Sequence, residues 1–108
     1  YDLVELHFND NEKRTLLEIF QQHQNLSNID KILLATNFYK DTKGDKIVNK
    51  DIIFTILKNA NVSTSFSIKD ALSNAKKKNY FFSGEKKGEY ELSHIAEEYI
   101  LNNILVQE

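Results

Sequence analysis

The stretch SIKDALSNAKKKNYFFSGEKKGEYEL, residues 67–92, decides the fold of this chain. Its first half carries apolar residues at the spacing of one helix face, namely Ile68, Ala71, Leu72 and Ala75. Ser67, with an acidic residue three positions later, has the form of an N-terminal capping pair. The pattern therefore predicts a helix over residues 67–79, with its lysines on the outer face.

The second half of the stretch predicts a β-hairpin with a basic tip. Residues 80–82, YFF, have strand composition, and the EYEL of residues 89–92 alternates polar and apolar side chains. Gly84 and Gly88 enclose the turn between them. The three aromatic rings of residues 80–82 could stack on nucleic-acid bases, but a strand that faces the core is the interpretation we favour.

Four further helices are expected, over residues 10–23, 28–40, 50–60 and 94–106, with a short strand at residues 46–49. A cap-forming Asn or Ser precedes each helix, at Asn9, Ser27, Asn49 and Ser93. The helix over residues 28–40 is apolar on so many sides that it should be central. The last helix is expected to supply apolar side chains at Ile95, Tyr99, Ile100, Ile104 and Leu105. Residues 1–8 fit a short strand or an extended arm.

The composition is that of a single folded domain. The chain has 108 residues, 41% of them hydrophobic, and it contains no Cys. The lack of Cys excludes disulfides, thiolate catalysis and Cys-based zinc sites. No apolar run approaches the length of about 18 residues that a membrane span needs, and no signal peptide is visible. We therefore expect a cytoplasmic protein without membrane contact. The opening without Met suggests a piece of a longer chain.

Charge is segregated along the sequence. The formal net charge is −2. Residues 67–88 contain six lysines and two acidic residues, which gives this segment a net charge of +4. The rest of the chain holds eight basic and fourteen acidic residues, a net charge of −6. Such a local excess of lysine favours a surface that binds a polyanion, although a solvated helix face has the same composition.

The segment KKGEYELSHIAEEYI, residues 86–100, resembles the wing and the following helix of prokaryotic winged helix-turn-helix domains. The shared pattern includes Gly88, Tyr90, Leu92, Ser93, Glu97, Glu98, Tyr99 and Ile100, and the family usually has Gly where this chain has Ala96. The resemblance covers about residues 27–106. It implies a mainly α fold with a small β-hairpin, and the N-terminal helix is an addition to it.

The resemblance also implies a division of the chain and a role for each part. Residues 1–26 would form an N-terminal arm and a helix that packs on the domain, and residues 27–108 the winged helix domain itself. The helix over residues 67–79 would be the recognition helix, and residues 83–89 the wing. The short strand at residues 46–49 would join the edge of the wing hairpin.

Double-stranded DNA is the partner that this arrangement implies. A recognition helix fits the major groove, and a wing reaches a neighbouring groove or the backbone. The expected phosphate contacts are Lys69, Lys76, Lys77, Lys86 and Lys87, and the residues best placed for base edges are Ser73 and Asn74. Arg is the commonest partner of guanine, but the only Arg in the chain is Arg14. We therefore expect modest specificity, or specificity supplied by DNA shape or by a dimer.

The alternative function is a winged-helix module for protein interaction or dimerisation. It is favoured by the acidic remainder of the chain, the missing Arg and the extra N-terminal helix. Four apolar residues could line a two-fold interface, namely Leu16, Phe20, Ile100 and Ile104. The same four residues could instead cover the domain's own core, which is the reading that we favour.

Catalysis and metal binding find no support in the sequence. His7, His23 and His94 are scattered, without the spacing of a metal-binding motif. Glu97 and Glu98 are neighbours that point to different faces of a helix, and no base or nucleophile accompanies them. We therefore expect a protein that is not an enzyme and needs no cofactor.

Overall fold

A computed structural model describes residues 1–106, so the last two residues of the expected domain 27–108 lie outside it. The described chain is mainly helical and has a small three-stranded sheet. The elements are α1 (Asp10–Gln22), α2 (Asn28–Lys43), β1 (Ile47–Val48), α3 (Lys50–Asn59), α4 (Ile68–Lys77), β2 (Phe81–Ser83), β3 (Tyr90–Leu92) and α5 (His94–Tyr99), followed by a π-helical segment, Ile100–Ile104. None of the described helices has both the length and the apolar character that crossing a bilayer requires.

The predicted N-terminal caps are confirmed. Ser67 Oγ accepts a hydrogen bond from the Asp70 backbone N–H at 3.1 Å. Asn9 and Glu12 form a complete capping box, in which each side chain accepts from the other's backbone N–H at 2.8 Å. These bonds satisfy N–H groups that have no partner within the helix, and they explain why the helices start where the sequence indicates.

The sheet has the strand order β1-β3-β2, and both pairs are antiparallel. The short strand predicted at residues 46–49 is confirmed as β1, and it joins the hairpin on β3 with Ile47 opposite Glu91. In β2, Phe81 is buried, whereas the next residue, Phe82, is 53% exposed because neighbouring strand residues point to opposite faces. The expectation that the whole run 80–82 faces the core is therefore wrong for Phe82.

The core lies around α2. Six of its residues are buried, namely Ile32, Leu33, Leu34, Ala35, Thr36 and Phe38, which confirms its predicted central position. The helix runs three residues beyond the expected end at residue 40. It stops only at Gly44, whose φ of 75° lies in the left-handed region that glycine adopts without steric cost.

Leu16, Phe20, Ile100 and Ile104 are all buried in the same core cluster. They cover the domain's own core, as the favoured reading of these residues predicted. Their side chains are therefore not on the surface, where a two-fold interface would need them. Leu16 and Phe20 bring α1 into the core that the rest of the chain forms.

The end of the chain departs from the prediction of one α-helix over residues 94–106. The α-helix stops at Tyr99 and a π-helical segment follows, in which the Leu105 N–H donates to the Ile100 carbonyl oxygen at 2.8 Å. Ile95 was expected to face the core but is 54% exposed. Ile100 and Ile104, four residues apart, are both buried in the core, as the sequence predicts.

Residues 1–8 form an extended arm without strand pairing, and the arm crosses α3 and the start of α4. The Asp2 N–H donates to the Asp51 carboxylate at 3.0 Å, and the Val4 N–H donates to Thr55 Oγ1 at 3.0 Å. Tyr1 Oη accepts from the Lys69 N–H at 3.2 Å. The arm ends at Phe8, which is buried with its ring 5.5 Å from that of Phe38.

Candidate nucleic-acid interface

The helix α4 is anchored by its apolar face and presents its polar face to solvent. The four residues predicted for the apolar face are all buried, at Ile68, Ala71, Leu72 and Ala75. The predicted DNA contacts Lys69, Lys76 and Lys77 are exposed. The same amphipathic pattern that attaches the helix to the core therefore fixes which side chains point outward.

The orientation of α4 relative to the hairpin depends on Ser93. The buried Ser93 Oγ donates to the Asn79 carbonyl oxygen at 2.6 Å and accepts from the Ala96 N–H at 3.1 Å. The Ser93 N–H also donates to the Tyr80 carbonyl oxygen at 3.0 Å. Asn79 has a φ of 66° and turns the chain from α4 into β2. Through its hydroxyl group and its N–H, Ser93 thus connects the turn between α4 and the hairpin to the start of α5.

The tip of the hairpin is shaped by its two glycines. A Cβ atom at Gly84 would lie 2.7 Å from the Cβ of Glu89, too close for any side chain at that position. The Gly84 N–H donates to the Glu89 carbonyl oxygen at 2.8 Å. Gly88 has a φ of 85°, which L-residues rarely adopt. The tight turn leaves Lys86 and Lys87 exposed at its tip.

A hydrogen bond connects the outer flank of α4 to the hairpin. Lys76 Nζ donates to Ser83 Oγ at 2.6 Å. Ser83 is the last residue of β2 and was not among the residues that sequence reasoning identified. No signal in the sequence pairs these two residues, because their contact depends on how the hairpin folds back beside the helix.

Three of the predicted contact residues, Lys69, Lys86 and Lys87, line one cleft of about 530 Å³ between the start of α3, α4 and the hairpin. Leu72 and Tyr90 also line it. A fourth lysine of the cleft, Lys50, was missed by sequence reasoning. Its position directly after the predicted cap Asn49 was visible in the sequence, but its approach to the hairpin was not.

The remaining predicted contacts lie elsewhere on α4. Asn74 is exposed and Ser73 is half-buried. With about 100° of rotation per residue, Asn74 lies roughly 140–160° around the axis from Lys69 and Lys76. The structure therefore does not bring Asn74 together with the lysines that face the hairpin. Lys77 lies between these two flanks.

Among the described residues, Lys40 and Lys43 are the lysines that form ion pairs, and the lysines of the cleft do not. Lys40 pairs with Glu97 at 3.7 Å, and Lys43 pairs with Glu12 at 3.4 Å. Within residues 1–106, the ammonium groups of the four cleft lysines form no ion pair or hydrogen bond with the protein. The interface therefore carries positive charge that the described chain itself does not neutralise.

Two acidic residues, Asp51 and Glu89, also line the cleft, and each accepts a backbone hydrogen bond. Asp51 is held by the Asp2 N–H at 3.0 Å, and Glu89 by the Lys86 N–H at 3.2 Å. Tyr1, at the start of the arm, accepts a hydrogen bond from the Lys69 N–H, and this bond lowers the pKa of the Tyr1 phenol. In the part of the chain that the structure describes, no three His, Asp or Glu side chains are grouped as a metal site requires.

No protein-family model matches the sequence, and no curated protein or solved structure is significantly similar to it. The geometry described above is therefore the basis for the function that follows.

Proposed function

We propose that the chain is a winged helix-turn-helix module that binds double-stranded DNA through α4 and the hairpin tip. The order of elements supports this proposal. A helix, a short strand, two helices, a hairpin and a final helix follow one another from α2 to α5, and β1 pairs with the hairpin. In this proposal α4 is the recognition helix, and the turn at residues 83–89 is the wing.

The observation that carries the proposal is the convergence of exposed lysines from α4 and the hairpin on one side of the molecule. Lys69, Lys86 and Lys87 line the same cleft, and Lys76 reaches across to the hairpin at Ser83. The sequence separates these residues by up to 18 positions, so their convergence is a property of the fold. A phosphate backbone is the polyanion that such a row of lysines matches best.

The physical mechanism of binding follows from charge and size. An α-helix with its side chains is about 10–12 Å in diameter and fits the major groove. Lysines that approach phosphates release condensed counterions, so the affinity falls steeply as the salt concentration rises. The exposed carboxylate of Asp70 on the outer face of α4 opposes close approach. With no Arg on this face, we expect binding in which backbone contacts dominate over base recognition.

The test is a fluorescence-anisotropy titration of a labelled random-sequence duplex at two salt concentrations. The wild-type protein should bind at low salt, with a log–log slope that reflects several phosphate contacts. The variant Lys76→Glu with Lys77→Glu should lose binding, because two attractive charges become repulsive. Both side chains are exposed, so the circular dichroism spectrum should not change.

The matched control is Lys13→Glu with Arg14→Glu, which changes the net charge by the same amount on the exposed surface of α1. This control should retain most of the affinity. Equal losses in the two double variants would mean that binding responds only to net charge. Wild-type protein that does not bind the duplex at low salt would contradict the proposal.

A module for protein interaction is the second candidate, and it now depends on different residues from those the sequence suggested. Large apolar side chains are exposed at Phe82, Ile95 and Leu101. Exposed apolar side chains of this size favour contact with another protein when they are contiguous. If DNA binding is absent, self-association is tested by sedimentation equilibrium, in which the wild type is compared with Phe82→Ser. A wild type that stays monomeric at high concentration would contradict self-association.

A further inference from the structure

We propose that the cleft between α3, α4 and the hairpin is a binding site for a phosphate ester of nucleotide size. The site consists of Lys50, Lys69, Lys86 and Lys87 around an apolar floor. The proposal goes beyond the proposed function because the cleft includes a residue of α3, Lys50, and has a defined shape. Its ligand is either a free nucleotide or one nucleotide unit of a nucleic-acid strand, since both carry a phosphate next to a flat ring.

The charge balance of the cleft favours an anion. Four ammonium groups and two carboxylates line it, which gives a net charge of +2. The two carboxylates accept hydrogen bonds from backbone N–H groups, whereas the four ammonium groups have no partner in residues 1–106. Like charges that converge without partners repel one another, so a bound phosphate would relieve repulsion as well as add attraction.

The positions of two of these lysines are unfavourable for the helices that carry them. Lys50 is the first residue of α3, and Lys69 is the second residue of α4. The N-terminus of a helix carries a partial positive charge, so a lysine in the first turn lowers helix stability. Helix formation therefore does not account for Lys50 and Lys69, whereas a bound anion would make use of their charge.

The size and lining of the cleft fit a ligand with a flat apolar part. Its volume of about 530 Å³ lies within the range of about 300–1,000 Å³ that is usual for small-molecule sites. The apolar floor of the cleft is formed chiefly by the half-buried Tyr90, because Leu72 is only 1% exposed. Tyr90 is held by an edge-to-face contact with Phe81, whose ring lies 6.1 Å away. A base or a sugar could lie against this floor while the lysines bind its phosphate.

The experiment is an NMR titration of the uniformly ¹⁵N-labelled chain with three probes. Adenosine 5′-monophosphate carries both phosphate and ring, inorganic phosphate carries only the charge, and adenosine carries only the ring. The monophosphate should shift the amide signals of Lys69, Gly88 and Tyr90 saturably, with a dissociation constant of about 1 mM or below. The other two probes should bind more weakly.

Lys50→Gln is the decisive variant, with Lys13→Gln as the matched control on α1. Lys50 is exposed at a helix start that disfavours it, so the variant should fold like the wild type. It should weaken binding of the monophosphate roughly three- to fivefold, as expected for one exposed ion pair. Lys13→Gln should have no effect. The affinity for the duplex is measured in parallel for both variants.

Each outcome decides the proposal. One outcome is that the monophosphate fails to bind while Lys50→Gln, but not Lys13→Gln, lowers the affinity for the duplex. In that case the site exists and its ligand is a unit of the nucleic-acid strand. If Lys50→Gln changes neither the affinity for the monophosphate nor the affinity for the duplex, the proposal is wrong. Equal binding of adenosine and its monophosphate would also overturn it. The DNA-binding proposal is tested separately, by the affinity for the duplex of the double variant at Lys76 and Lys77.

Discussion

At the scale of single residues, the buried Ser93 joins two parts of the chain. Its hydroxyl group donates to the Asn79 carbonyl at 2.6 Å and caps α5 through the Ala96 N–H. Ser93→Ala would leave both backbone groups without this partner in a buried environment. We expect the free energy of unfolding to fall by about 2 kcal/mol, measured by urea denaturation.

Ser67→Ala is the matched control for Ser93. Ser67 caps α4 through the Asp70 N–H at 3.1 Å, but its side chain is exposed. Its loss should cost about 1 kcal/mol or less, because water can replace the missing bond. A cost for Ser93→Ala no larger than that for Ser67→Ala would show that Ser93 does no more than cap a helix.

Tyr99 makes the free energy of unfolding depend on pH in the alkaline range. Its phenol donates to Asp30 Oδ1 at 2.8 Å, and this hydrogen bond raises the pKa of Tyr99 to about 12, from an ordinary value of 10. Because the pKa is raised in the folded state, the contribution is complete below pH 10 and is lost as the pH rises through 12. Tyr99→Phe should therefore lower the free energy of unfolding by about 1 kcal/mol at neutral pH.

The measurement for Tyr99 is urea denaturation of wild type and Tyr99→Phe over a series of pH values. The variant keeps the ring that lies 4.9 Å from Tyr80, so the difference reports the hydroxyl group. The two stabilities should converge as the wild-type phenol ionises. A difference that stays constant to the highest pH would contradict the role of the Tyr99–Asp30 bond.

At the scale of elements, the π-helical segment Ile100–Ile104 has one buried side and one exposed side. Leu101 is 62% exposed, and Ile104, three residues later in the same π-helical segment, is buried. Ile104→Ala should destabilise the protein by about 3 kcal/mol through lost burial and a cavity. Leu101→Ala should change stability by no more than about 0.5 kcal/mol. Thermal denaturation of both variants tests this assignment. Similar losses of stability in Ile104→Ala and Leu101→Ala would contradict it.

At the scale of the whole molecule, the core joins the N-terminal helix to the rest of the chain. Phe20 is buried in the same cluster as residues of α2, α3 and α5. Phe20→Ala should therefore lower the stability of the entire chain, by about 3–5 kcal/mol. Unfolding followed by circular dichroism and by tyrosine fluorescence should give one coincident transition.

Lys13→Ala, an exposed change on the same helix, is the control for Phe20→Ala. It should leave the transition within about 0.5 kcal/mol of the wild type. Two separate transitions in Phe20→Ala, one of them unchanged, would mean that residues 1–26 fold independently of the remainder.

Local patterns predicted most of the secondary structure because local interactions produce it. Capping residues placed the helix starts at Asn9, Ser27, Asn49, Ser67 and Ser93, and the chain satisfies its first N–H groups there. The prediction was less accurate at helix ends. The helix α2 continues to Lys43, before the left-handed Gly44, and the regular helix α5 ends at Tyr99, where a π-helical segment follows.

The candidate site was predicted in part. The sequence indicated the lysines of α4 and of the hairpin, because charge density is visible along a chain. It did not indicate Lys50 and Ser83, which come close to these lysines only when β1 pairs with β3 and the hairpin packs beside α4. Asn74 was predicted to be well placed for base edges, where Asn can pair with adenine, but its flank of the helix faces away from Lys69 and Lys76.

The helices, the hairpin and the amphipathic face of α4 follow from local sequence, because periodicity, caps and glycines act within a few residues. The set of charges that share a surface follows from the packing of distant elements. The arm reaches Asp51 and Lys69, and the four lysines of the cleft come from three separate elements. Such contacts depend on how elements pack across a common core, and no local pattern encodes that geometry.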